Sequence, residues 1–261
     1  MFADYHVHTS YSDDSDCPME EMVRQAVLLG LDEIAFTEHV DYGVKSDLNC
    51  QYDKYAEEIF RLKEQYKDRL TIRFGIEFGV QQHTINMFEE DVKKYPFDFI
   101  ILSNHQIKNQ EFWTQDFQKG KTQSEIHQKY YEEIYEIIRQ YKDYCVLGHL
   151  DLIKRYDLFG SYPDHQIMDM AEKIFRQVIK DGKGIEVNSS SYSYGINDLM
   201  PSKELLKLYH QLGGRIITIG SDAHDKNQLG EHIKEVRQEL KTLGFDEICT
   251  FAECRPIYHK L

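Results

Sequence analysis

The sequence predicts an α/β fold in which alternating strands and helices close into one (β/α) barrel of seven or eight strands. Three observations lead there. Strand-length apolar runs alternate along all 261 residues with longer charged segments whose apolar residues recur at helical spacing. No Pro/Ser-rich linker, low-complexity tract or internal repeat interrupts that alternation. Six of the twelve histidines fall at or just beyond the C-terminal ends of the predicted strands, the face on which barrel active sites lie. An open doubly wound sheet is the alternative arrangement of the same elements.

Taken in order, the first strand is Phe2 to Val7, and the first helix, Met19 to Leu29, stops at Gly30. Glu33 to Thr37 is the second strand and Tyr55 to Tyr66 the next helix. Thr71 to Phe78 and Phe97 to Ser103 are the third and fourth strands, followed by a helix from Tyr130 to Tyr141. Cys145 to Gly148 and the helix Ile167 to Lys180, capped by Gly182, lead to the sixth strand, Gly184 to Asn188. Pro201 and Ser202 open a helix over Lys203 to Leu212 with Gly213 behind it. Arg215 to Ser221 is the seventh strand, and Ile233 to Leu243 is a helix stopped by Gly244. Ile248 to Phe251 is either an eighth strand or a terminal tail.

A hydrophobic content of 41% suits one packed domain of this length. No run approaches the roughly 18 apolar residues of a membrane helix, and the start, MFADYHVHTS, lacks the basic and apolar regions of a signal peptide. A cytoplasmic protein with no membrane partner is therefore expected. Cys17, Cys50, Cys145, Cys249 and Cys254 are scattered without a C-x-x-C pair and read as free, mostly buried thiols. The net charge of −14 argues against a nucleic-acid partner, and it would also repel a phosphate ester unless bound cations reverse the field locally.

The strand ends bring the chemistry. His6, His8, His39, His105, His149 and His224 lie there, with Glu77 ending the third strand and Asp222 following the seventh. Alternate residues of Asp4-Tyr5-His6-Val7-His8 point the same way, so His6 and His8 can grip one ion while Asp4 fixes an imidazole from behind. Imidazole and carboxylate donors without thiolates suit zinc, manganese or iron in a catalytic site. His83, His127, His165, His210, His232 and His259 lack acidic partners in sequence and read as surface residues. Lys154 or Arg155, after the His149 strand, can supplement the metals on a phosphate, and Asn188 with the Ser189 to Tyr192 loop can meet the substrate. Trp113 can cover the pocket.

The motifs D-Y-H-V-H-T, S-Y-S-D-D, T-E-H at 37–39, G-H-L-D at 148–151 and S-D-A-H at 221–224 resemble those of the polymerase-and-histidinol-phosphatase (PHP) family. S-N-H-Q-I at 103–107, G-H-L-D-L-I-K-R-Y at 148–156 and a length without an appended polymerase module look most like its histidinol-phosphate phosphatases. The resemblance implies a single-domain, distorted (β/α)7 TIM-like barrel over residues 1–261 with about three divalent ions. It implies that His6, His8, Glu77 and Asp222 hold the first, that Glu77 bridges to a second on His105 and His149, and that His39, His224 and an acid of the S-Y-S-D-D loop hold the third. For that acid Asp13 is taken over Asp14.

The implied activity is hydrolysis of L-histidinol phosphate to L-histidinol and phosphate. Two bridged ions would share a water, lower its pKa and direct the hydroxide at phosphorus, with Asp222 or a site histidine managing proton transfer. The same ligands leave open a phosphotyrosine phosphatase or a small-nucleotide phosphodiesterase, and a non-catalytic metal-binding interaction domain stands further off. An amidohydrolase-type barrel also opens with H-x-H, but commonly bridges its metals with a carboxylated lysine where Glu77 stands here. The partner is a small phosphorylated substrate, and nothing in the sequence sets an oligomeric state.

Overall fold

A computed structural model describes residues 1–261. Its elements run β1 (Ala3–Val7), α1 (Met19–Leu29), β2 (Glu33–Phe36), β3 (His39–Val40), α2 (Tyr52–Tyr66), β4 (Thr71–Gly79), α3 (Ile85–Lys94) and β5 (Phe99–Ser103). They continue with β6 (Gln106–Ile107), β7 (Gln110–Glu111), α4 (Gln123–Gln140), β8 (Val146–Leu147), α5 (Met168–Lys180), β9 (Gly184–Asn188), α6 (Lys203–Gln211), β10 (Ile217–Gly220), α7 (Ile233–Thr242), β11 (Glu247–Ala252) and β12 (Arg255–Lys260).

Seven strands follow one another in the order β1-β2-β4-β5-β8-β9-β10, all parallel, with β3 alongside β4. The two ends meet. The His8 N–H donates to the Ala223 carbonyl at 2.9 Å and the Asp222 N–H to the His6 carbonyl at 2.8 Å, so the sheet curls into a (β/α)7 barrel and not an open doubly wound sheet. The seam matters for function, because the same few bonds place His6, His8 and Asp222 side by side.

Every residue of β5 and β9 is buried, as expected of parallel strands covered on both faces. The helices turn one stripe inward. In α5 the buried residues are Ala171, Ile174, Phe175 and Val178, the i, i+3, i+4, i+7 spacing. Burying each large side chain of that kind contributes about 1.5–3 kcal/mol. The Ser202 hydroxyl accepts the Leu205 N–H at the start of α6, as Pro201-Ser202 suggested.

Several elements are not in the sequence reading, among them β3, the antiparallel β6–β7 pair and helix α3. Helix α3 follows the short turn at 82–84 and buries Ile85, Phe88 and Asp91 along one face. The last run is neither an eighth barrel strand nor a loose tail. β11 pairs antiparallel with β12, and this hairpin plugs the N-terminal end of the barrel. There the Phe251 N–H donates to the Tyr5 hydroxyl at 2.7 Å, and Phe251 packs on Phe99 with ring centroids 5.1 Å apart. Tyr5 in turn bonds the buried Glu33 carboxylate, which pairs with Arg73 at 2.7 Å. No helix is long and apolar enough to cross a membrane.

Candidate metal centre

The C-terminal ends of β1, β5 and β8, together with β3, present histidines to one buried carboxylate, Glu77 of β4. Its Oε2 faces His6 Nε2 at 3.2 Å, His8 Nε2 at 3.5 Å and His39 Nδ1 at 3.0 Å. Its Oε1 faces His149 Nε2 at 2.9 Å and His105 Nε2 at 3.3 Å, and accepts the Ser103 hydroxyl at 2.5 Å. One oxygen thus serves each side, the disposition of a carboxylate that bridges two ions. Asp222 Oδ1 completes the first side, 3.6 Å from His6 Nε2 and 3.4 Å from His8 Nε2.

A third group forms at the rim, and it draws Asp14, not Asp13, from the S-Y-S-D-D loop. Asp14 Oδ2 lies 3.3 Å from His39 Nε2 and 3.1 Å from His224 Nε2. Asp13, also on the cavity wall, instead meets Lys45 Nζ at 2.6 Å. His39 uses both ring nitrogens, one toward Glu77 and one toward Asp14, and so spans the bridged pair and the rim group.

The residues present fit metal ions. His6 Nε2, His8 Nε2, His39 Nδ1 and Glu77 Oε2 are buried and have no hydrogen-bond partner, although nearly all buried polar atoms in folded proteins have one. Sets of three donor atoms, such as those of His39, Glu77 and His105 or of His6, His8 and Asp222, lie within 4.8 Å of one another. Nitrogen and carboxylate oxygen without sulfur is the donor chemistry of zinc, manganese and iron.

The electrostatics show the same demand for cations. Burial works against charge on Glu77, yet His6, His39 and His105 hold its pKa well below the carboxylate range. Burial also works against protonating His6, but Glu186, Glu77 and Asp222 hold its pKa well above the usual imidazole value. His105 is raised to about 9 by Asp41 and Glu77 against the effect of burial. His8, buried and facing His39 and His224, is pushed down to about 3. Without ions, Glu77 is balanced by protonated imidazoles and Asp222 by those together with Arg155.

A cavity of about 610 Å³ opens over this floor, walled by Trp113, Arg155, Tyr156, Ser190, Tyr194 and Glu231 among others. Arg155 is nearly buried between Asp222 and Ser190, its Nη2 3.3 Å from Asp222 Oδ2 and 2.7 Å from the Ser190 hydroxyl, and its guanidinium lies 3.9 Å from the centre of the Tyr194 ring. Lys154 is not at the cavity. Its ammonium is held by Asp151 and Asp164, each at 2.8 Å, because the turn over 152–156 points consecutive side chains to different faces. Asn188 is likewise absent from the wall; its Oδ1 accepts the Ser190 N–H at 3.0 Å and shapes the loop that carries Ser190.

Other placements were not anticipated. Asp4 does not orient an imidazole; it accepts the Ser221 hydroxyl at 2.5 Å and the Gly230 N–H at 2.9 Å, tying down the loop after β10. The carboxylates behind the imidazoles are Glu186, 2.5 Å from His6 Nδ1, and Asp41, 3.0 Å from His105 Nδ1. Glu38 accepts from Thr9 and Ser12 and braces the loop leading to Asp14. His127 is not a surface residue: it is fully buried, bonded to Asp157 at 2.7 Å and stacked on Tyr162.

Residues 4–190, well over half of the chain, match the PHP domain family. The chain belongs to that family. Among PHP proteins it is 31% identical over 256 residues to a histidinol-phosphatase of Lactococcus lactis, covering 95% of this chain and 94% of that protein. It is 28% identical over 240 residues to a probable histidinol-phosphatase of Clostridium acetobutylicum, covering 90% and 91%. The crystal structure of the histidinol phosphate phosphatase from Lactococcus lactis, complexed with zinc, L-histidinol and phosphate, superposes with a TM-score of 0.90 at 29% identity over 98% of each chain. The barrel is therefore an architecture shared with that histidinol phosphate phosphatase.

Proposed function

We propose that this PHP chain is, over residues 1–261, a single catalytic barrel that hydrolyses L-histidinol phosphate to L-histidinol and phosphate. The observation that supports the chemistry is Glu77, whose two oxygens divide His6, His8 and His39 from His105 and His149. The substrate is inferred from the whole-length likeness to histidinol-phosphatases. About three divalent ions of zinc, manganese or iron would be held by His6, His8, Glu77 and Asp222, by Glu77, His105 and His149, and by Asp14, His39 and His224. Such ions supply an activated water and neutralise the equatorial phosphoryl oxygens.

The protein's own groups do the rest. Arg155 lines the cavity beside Asp222 and Ser190, placed to supplement the ions on a phosphoryl oxygen. Burial works against ionising Asp222, but His6, His8 and Arg155 hold its pKa well below the usual range, so this carboxylate stays ionised and is not the group that donates a proton to the leaving oxygen. Ser190 and Tyr194 form the wall beside Arg155, and Trp113, with Lys45 Nζ 4.6 Å from its ring centre, forms the opposite rim. The acidic surface, net charge −14, favours a small phosphorylated molecule that the metal-lined floor can attract over a long nucleic acid.

The test is phosphate release from L-histidinol phosphate measured against phosphotyrosine and a phosphodiester at equal concentrations. Preference for L-histidinol phosphate is expected. Preference for either competitor would keep the hydrolase and discard the substrate.

A further inference from the structure

Glu186 lies in the middle of β9, completely buried, and is not part of the cavity wall. Its Oε1 is 2.5 Å from His6 Nδ1, while its Oε2 accepts the backbone N–H of His149 at 2.8 Å. Space for it is left by Gly220, where a Cβ would fall 2.6 Å from Glu186 Oε1 and 2.3 Å from His6 Cβ. A buried carboxylate costs several kcal/mol in lost hydration unless it is paired and hydrogen-bonded, and packing alone would be served by an apolar residue.

We propose that Glu186 is a positioning residue for the metal centre, orienting His6 through one oxygen and the His149 strand end through the other. Accepting from Nδ1–H keeps the lone pair on His6 Nε2, the buried atom without a partner that faces Glu77 and Asp222. Accepting from the His149 amide fixes the backbone that presents His149 to the opposite oxygen of Glu77. One rigid carboxylate therefore sets the spacing of the two sides that Glu77 joins. The inference rests on the metal-centre reading and is independent of which phosphate ester is the substrate.

The two acceptor bonds dictate the test. Glutamine has nearly the same shape but offers one acceptor and one donor, so in Glu186→Gln an amide N–H must face either the His6 Nδ1–H or the His149 N–H. Glu33→Gln is the control, since Glu33 is an equally buried carboxylate at the far end of the barrel. Zinc affinity, measured by competition with a chelator on metal-free protein, is expected to fall roughly 10–100-fold in Glu186→Gln. It should remain at the wild-type value in Glu33→Gln. A folded Glu186→Gln with wild-type zinc affinity, or an equal loss in Glu33→Gln, overturns the proposal. A second measurement needs no variant: nitrogen-15 spectra of histidine-labelled, zinc-loaded wild-type protein should show His6 protonated at Nδ1 and zinc-bound at Nε2. Ligation through Nδ1 overturns the proposal even if Glu186→Gln does not fold. Neither measurement uses L-histidinol phosphate, so failure of the substrate reading would leave both results standing.

Discussion

Asp13 and Asp14 differ by one position and by what their carboxylates touch: Asp13 a lysine, Asp14 two imidazoles. Asp14→Ala is expected to remove one bound ion and to lower turnover by at least the roughly 10–100-fold that loss of an outer partner of a metal ligand costs. Asp13→Ala removes a rim ion pair of about 0–1 kcal/mol and should leave the ion count unchanged; elemental analysis with a turnover assay on both variants decides the matter. His105 gives a pH-dependent prediction. In metal-free protein its pKa is raised to about 9 by Asp41 and Glu77 against burial, so at pH 7 it carries a proton that a metal must displace from Nε2. Below about pH 9 binding therefore releases this proton and affinity rises with pH, whereas above it the contribution vanishes. Calorimetric titration with Mn²⁺ in buffers of different ionisation enthalpy should show net proton release at pH 7, and no release would contradict the assignment.

The elements that carry ligands were legible because each combines a short buried run with a histidine or acid at its end, as Phe99–Ser103 does ahead of His105. What sits behind the ligands was harder to read. Glu186 did leave a signal, an acid two residues before Asn188 and on the same face of an otherwise apolar strand, but its partner His6 is 180 residues away and only barrel closure brings them together. His127 also left one: with Tyr130, Tyr131 and Ile134 it lies on the inward stripe of α4, which helical periodicity exposes once the helix is known to start at Gln123. The choice between Asp13 and Asp14 left none, since both lie in a turn without periodicity. Strand β1 approaches β10 closely at Gly220, where a Cβ would fall 2.3 Å from His6 Cβ. Gly220→Ala should overpack this contact at a cost of about 1–3 kcal/mol and displace His6. A lowered melting temperature together with reduced metal content is the expected result, and wild-type values for both would refute the close-packing argument.

Across the whole molecule the two ends of the barrel have separate duties. The N-terminal end is closed by the β11–β12 hairpin, where Phe251 is 2% exposed against Tyr5 and Phe99. Phe251→Ala is expected to cost about 3–5 kcal/mol of stability in urea denaturation while the folded variant retains its full complement of ions. Coupled loss of metal would mean that the ends are not independent. The C-terminal end gathers its candidate metal-binding side chains from the ends of β1, β4, β5, β8 and β10, from β3 and from the Asp14 loop, so the site exists only once the barrel has closed. It also concentrates acidic groups in a chain already at −14, so bound cations are what make the cavity attractive to a phosphate ester. The most direct measurement is to titrate metal-free protein with Zn²⁺ or Mn²⁺ while following phosphate release from L-histidinol phosphate. No turnover before metal is added, rising to a plateau near about three ions per chain, is the predicted result. Full turnover with less than about one ion per chain would contradict a mechanism built on Glu77 as a bridge.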